Sequence, residues 1–167
     1  MKKLIGLVLL LVFLAAACQS TPPAEEPSAP VGSDSPVEGV ESLEFDEALD
    51  DVYGRYADTL DLAGATQYTV VRGDRLTAIA QRQFAPHSPY FFPVIMLASP
   101  DVGVSDPDSI SPGMVLTIPD LVRNLDNPAT RATIKQFLLE IAGVYAQKSE
   151  QWARELEQGL RELAASL

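Results

Sequence analysis

Residues 68–80 read YTVVRGDRLTAIA, and residues 106–119 read DPDSISPGMVLTIP. In the first stretch, Tyr68 to Arg72 are mostly aromatic or β-branched and the run stops at Gly73, so the composition predicts a short strand ending in a turn. Asp74 follows, placed to cap the open N–H groups of a helix's first turn. Leu76, Ile79, Ala80 and Phe84 fall on one helical face, while Arg75, Gln81 and Arg82 fall elsewhere. Pro86 and Pro89 mark a loop. A second apolar run spans Phe92 to Ala98, with Pro93 suited to a first helical turn, where its missing N–H costs least, and Ser99 and Pro100 end it. In the closing stretch, Asp106, Pro107 and Asp108 form a turn-rich loop, Pro112 and Gly113 suit the centre of a type II turn, and Val115 to Ile118 reads as a strand. The predicted order is strand, helix, helix, strand, an α+β unit.

These residues resemble the LysM carbohydrate-binding module. The opening is similar to its aromatic-Thr-Val strand running into Gly-Asp and a helix ending in Ile-Ala; the closing stretch is similar to its Pro-Asp, Ile, Pro-Gly and Leu-x-Ile-Pro succession. The resemblance spans residues 67–119, a minority of the chain. It implies a βααβ fold that binds N-acetylglucosamine-containing glycan in a shallow groove between the loop after the first strand and the loop before the second. Carried onto matching positions, the groove has Gly73, Asp74 and Leu76 on one side and Pro107, Asp108 and Ile110 on the other. Backbone groups would pair with the N-acetyl amide, and Leu76 or Ile110 would cover its methyl. Two positions depart from the pattern. Arg75 stands where the family usually has Thr or Ser; it could bond sugar hydroxyls or approach peptide-stem carboxylates, or simply be a solvated first-turn charge. Ser99 stands where the family usually has Asn, which weakens a side chain expected to fix the loop.

Upstream, Met1, Lys2 and Lys3 give a basic start, and Leu4 to Ala17 is uncharged and apolar. That stretch is too short for the ~20 residues a spanning helix needs, so residues 1–17 read as a signal peptide. Leu14 to Cys18 resembles a bacterial lipoprotein box, although Leu14 lies four residues before Cys18 and Ala15 takes the usual Leu place. Ala15 and Ala17 also fit ordinary cleavage. Cys18 is the single cysteine of the chain, so no internal disulfide competes for it, and lipidation of Cys18 is the expectation. The implied location is the cell envelope, with an exported chain anchored to a membrane through that lipid.

The net charge of −11 is concentrated between Cys18 and Thr66, where twelve acidic side chains face only Arg55. Downstream of Thr66 the chain is close to neutral, and nucleic-acid binding, which needs a basic footprint, is disfavoured. Pro, Ser, Gly, Ala and Glu dominate from Gln19 to Val40, so residues 18–42 are expected to be a disordered acidic tether. Over 43–62, Phe45, Leu49, Val52, Tyr53, Tyr56 and Leu60 repeat at helical spacing among acids, predicting an amphipathic helix that starts near Ser42. Gly54 weakens it by about 1 kcal/mol relative to Ala. The helix either packs on the rest of the protein or serves a partner.

Leu121 to Asp126 is expected to be a connector. Asn127 followed by Pro128 signals a capped helix start, and Ile134, Phe137, Leu138, Ile141, Val144 and Tyr145 make its apolar face. Trp152, Leu156, Leu160, Leu163 and Leu167 make another. One unbroken helix would extend about 60 Å, well past so small a module, so a break near Gln147 to Glu150 and a helical hairpin over 127–167 are expected. A lone helix pair cannot stand as a repeat array, which leaves packing on the module or on the Phe45 helix.

No catalytic constellation is legible. His87 is the one histidine and has no sequence sign of a nucleophile or metal partner. Asp106 and Asp108 sit two apart in a Pro-containing turn, a poor match to two carboxyls about 5 to 9 Å apart across a cleft. Nor do they form a calcium-loop pattern. The expectation is a noncatalytic envelope protein with no cofactor or metal, binding peptidoglycan or another N-acetylglucosamine polymer. The alternative is an envelope scaffold that binds a protein partner through the Phe45 helix and the C-terminal hairpin.

Overall fold

The computed structural model describes residues 37–102 and 110–167. Positions 1–36, which hold the signal stretch, Cys18 and most of the expected tether, lie outside the described residues, as do Asp106, Pro107 and Asp108.

Two strands, β1 (Thr66–Thr69) and β2 (Val115–Ile118), pair antiparallel with Thr66 opposite Ile118 and Thr69 opposite Val115. β2 lies where the VLTI run predicts it. β1 enters two residues earlier than the composition suggests and ends before Val71, because Val71 and Arg72 are drawn into the turn that follows. Helix α1 (Val37–Tyr56) precedes β1, and α2 (Leu76–Gln83) and α3 (Phe92–Leu97) lie between the strands. The expected strand, helix, helix, strand order is therefore present. Three further helices follow β2: α4 (Leu121–Asp126), α5 (Pro128–Tyr145) and α6 (Gln151–Ser166).

α1 both starts and stops earlier than the predicted 43–62 helix. Its start takes the last positions assigned to the tether. Its end comes at Tyr56, where Thr59 N–H bonds back to the Tyr56 carbonyl at 2.9 Å, so Leu60 belongs to a loop despite its helical spacing, as does Leu62 at the end of the predicted span. Leu121 to Asp126 is a short helix rather than a bare connector: the Asp120 carboxylate accepts from Arg123 N–H at 3.0 Å and supplies its cap. α5 starts as the Asn-Pro signal predicts, with Asn127 Oδ1 accepting from Ala129 and Thr130 N–H groups. α5 stops at Tyr145, giving the expected hairpin. Trp152 departs from its expected place on the α6 apolar face; it is 43% exposed and meets Tyr145 edge-on. The buried side of α6 consists of Ala153, Gly159, Leu160, Leu163 and Ala164.

One buried cluster runs continuously from α1 to α6. Phe45 meets Tyr145 with ring centroids 5.6 Å apart, and Tyr53 and Tyr56 each meet Phe137 at 5.3 Å. Tyr56 Oη donates to Glu140 at 2.7 Å, and Arg55 donates to the other oxygen of that carboxylate at 2.5 Å. Burial first, and Glu140 second, pushes the Tyr56 hydroxyl up to about 12. The apolar side of α1 is therefore packed against α5. A two-stranded sheet is marginal on its own in water. Here α5 packs on α3, and α6 on the short 3-10 turn at Pro89–Phe91, so the helical pair extends the core of the strand unit.

Candidate functional site

The chain leaves β1 through Val70 and turns at once. Asp74 N–H donates to the Val71 carbonyl at 3.1 Å, closing a four-residue turn in which Gly73 has φ +89°. A positive φ at the third position of such a turn is strained for residues carrying a Cβ, which explains the glycine. The chain enters β2 through a second turn of the same kind. Met114 N–H donates to the Ser111 carbonyl at 3.1 Å, with Pro112 second and Gly113 third at φ +94°, the type II arrangement that Pro-Gly predicts. Val70 N–H bonds Met114 C=O at 2.8 Å, and Gly113 N–H bonds Val70 C=O at 2.9 Å. The two turns therefore lie side by side at one end of the sheet. Ile110 immediately precedes the second turn, half-buried against the core. Gly73, Asp74, Arg75, Leu76 and Ile110 are thus gathered at this end, while Pro107 and Asp108 lie outside the described residues.

Asp74, Leu76 and Ser99 differ in detail from the sequence expectation. Asp74 does not cap α2. The residue at the cap position is Arg75, extended and exposed, and its side chain makes no cap hydrogen bond to the first turn. The Asp74 carboxylate instead turns back: Oδ2 accepts from Val71 N–H at 2.9 Å and from Tyr68 Oη at 2.7 Å, and Oδ1 accepts from Arg82 at 2.7 Å. These donors, Val71 first, hold its pKa below the ordinary aspartate value. Leu76 is fully buried, so its side chain belongs to the core and is not open to cover an acetyl methyl, as the sequence had allowed. Ser99 is buried at the end of α3, where its hydroxyl accepts from Thr117 N–H at 2.8 Å and lies 3.4 Å from the Thr117 carbonyl. A short hydroxyl in the place of Asn therefore still ties α3 to the outer edge of β2.

His87 packs edge-on against Phe91, with centroids 6.0 Å apart. Among the described residues no group of three or more His, Cys, Asp or Glu side chains converges to hold a metal ion, and no helix is long and apolar enough to cross a membrane.

Residues 68–119 match the family model for the LysM domain. No curated protein and no solved structure matches the chain. The strand-helix-helix-strand unit is a LysM module, a binding module for N-acetylglucosamine glycans in general rather than a catalytic one.

Proposed function

We propose that this chain is a noncatalytic cell-envelope lipoprotein whose LysM module holds peptidoglycan, with Cys18 carrying the lipid that anchors it. The observation that carries the glycan half is the pair of adjacent turns, Val71 to Asp74 and Ser111 to Met114, within the matched span. Turn backbone and the first turn of α2, which the Arg75 side chain does not cap, offer N–H groups to an acetyl carbonyl, and Ile110 offers an apolar surface to its methyl. A single module makes few contacts, so each site is weak and retention depends on many chains held at one surface. The anchor half rests on the basic start, the apolar stretch and the Leu-Ala-Ala-Ala-Cys sequence. Acyl chains at Cys18 would add about 0.8 kcal/mol per buried CH₂.

Packing weighs against the scaffold alternative, since the apolar side of α1 and most of that of the hairpin are already buried within the chain. Incubating the mature chain with purified sacculi tests the proposal: retention above a denatured control is expected, and its absence would leave the module as scaffold. For the anchor, Cys18→Ser should abolish membrane partitioning and fatty-acid labelling. Identical fractionation of the two proteins would remove the lipoprotein assignment.

A further inference from the structure

Arg82 sits in the last turn of α2, about 9 Å along the helix from Leu76 at 1.5 Å per residue. Long helical side chains lean toward the N-terminus, and Arg82 uses that direction to reach back to the turn below. On the way its guanidinium passes the Tyr68 ring, 5.9 Å from the centroid, and one nitrogen donates both to Tyr68 Oη at 3.1 Å and to Asp74 Oδ1 at 2.7 Å. Tyr68 Oη donates in turn to Asp74 Oδ2, the same oxygen that accepts from Val71 N–H. A carboxylate has roughly four lone-pair sites. Here at least three are engaged, and the Asp74 side chain is only 6% exposed while that of Arg82 is 51% exposed. Asp74 is therefore an inward-facing clamp on the turn that contains it.

We propose that Tyr68 and Arg82, acting through Asp74, are positioning residues for glycan binding: they hold the Val71–Asp74 turn in the one conformation that presents its backbone to an N-acetylated sugar. This rests on the glycan-binding reading above. Without the clamp the turn retains its Asp74-to-Val71 backbone bond and its glycine, so the module still folds. It loses the two side chains that fix the turn against β1 and α2.

The test uses the full mature chain and three variants: Tyr68→Phe, Arg82→Met and Arg82→Lys. Amide hydrogen exchange is followed at Val71, with N-acetylglucosamine oligomer titrations and thermal melts alongside. Tyr68→Phe and Arg82→Met should each speed exchange at Val71 and weaken the oligomer Kd about tenfold, the scale of a lost charge-assisted hydrogen bond. Arg82→Lys, which keeps a cation for Asp74, should recover most of the affinity. A purely structural role would lower the melting temperature and leave Kd untouched well below the melt. Wild-type affinity in Arg82→Met overturns the positioning role alone. A wild-type chain that binds no oligomer overturns the glycan reading and this inference with it, even where exchange at Val71 responds to the variants.

Discussion

The side-chain amide of Asn124 brackets the backbone of Asp61: its Oδ1 accepts from Asp61 N–H at 2.9 Å, and its Nδ2 donates to the Asp61 carbonyl at 2.9 Å. Nδ2 also donates to the Asp120 carbonyl at 2.8 Å, so a nearly fully buried amide pins the loop before β1 to α4. Asn124→Leu removes these partners while keeping the volume. Each buried backbone group left unpaired costs about 1–3 kcal/mol, so urea unfolding should show a loss of that order or more. An unchanged midpoint would mean that water replaces the amide.

Two helical glycines should respond in opposite directions to the same substitution. Gly54 lies in α1 with open space around it, so Gly54→Ala should stabilise by about 0.5–1 kcal/mol through helix propensity. Gly159 lies in α6 with the Tyr90 ring directly over it, and an added Cβ would overlap that ring. Gly159→Ala should destabilise by about 1–3 kcal/mol, the usual cost of overpacking, by loosening α6 from the module. Thermal melts of the two variants decide it; stabilisation by both would show that Tyr90 moves aside freely.

Acid should unfold the protein through three carboxylates. Asp61 is held below its ordinary value by Arg123 first and Ala63 N–H second, Asp74 by Val71 N–H first and then by Tyr68 and Arg82, and Glu140 by Tyr56 first and then Arg55. A folded pKa below the unfolded one gives stability that is present above the unfolded value and lost as pH falls through the folded one. The melting temperature should therefore hold down to about pH 5 and decline below about pH 4, where free carboxylates ordinarily titrate. Asp74→Asn should flatten part of that decline. Salt should weaken the Asp61 share most, since both Asp61 and Arg123 are about half exposed.

The features legible in the sequence are those whose chemistry is local. Gly73 and Gly113 mark turns that only positive-φ residues enter easily, Asn127-Pro128 caps and starts α5 within three residues, and the spacing of Ile134 to Tyr145 gives its buried face. What escaped depends on partners that sequence distance hides. Asp74 has the composition of a helix cap, but Tyr68 before it and Arg82 after it capture its carboxylate. Asn124 is an unremarked polar residue until Asp61 is brought beside it, and α4 is too short for a period to show. Leu76 carries the helical periodicity of a core residue, and that signal, rather than its position beside the turn, predicted its burial.

On the proposed reading the two turns and the exposed part of Ile110 form a surface for N-acetylglucosamine glycan, whereas Tyr145 serves the helical core alone. The most direct measurement is a calorimetric titration of an N-acetylglucosamine oligomer into the mature chain, into Ile110→Ser and into Tyr145→Ala, with circular dichroism melts of all three. The account predicts saturable weak binding by the wild type, and about tenfold weaker binding by Ile110→Ser, as expected for a lost apolar contact of about 1–2 kcal/mol, with a loss of melting temperature much smaller than that of Tyr145→Ala because Ile110 is only half-buried. Tyr145, almost fully buried between Phe45 and Trp152, should behave in the opposite way: Tyr145→Ala loses about 3–5 kcal/mol of stability yet binds normally while folded. Undiminished binding by a folded Ile110→Ser protein would contradict the placement of the glycan at this end of the sheet.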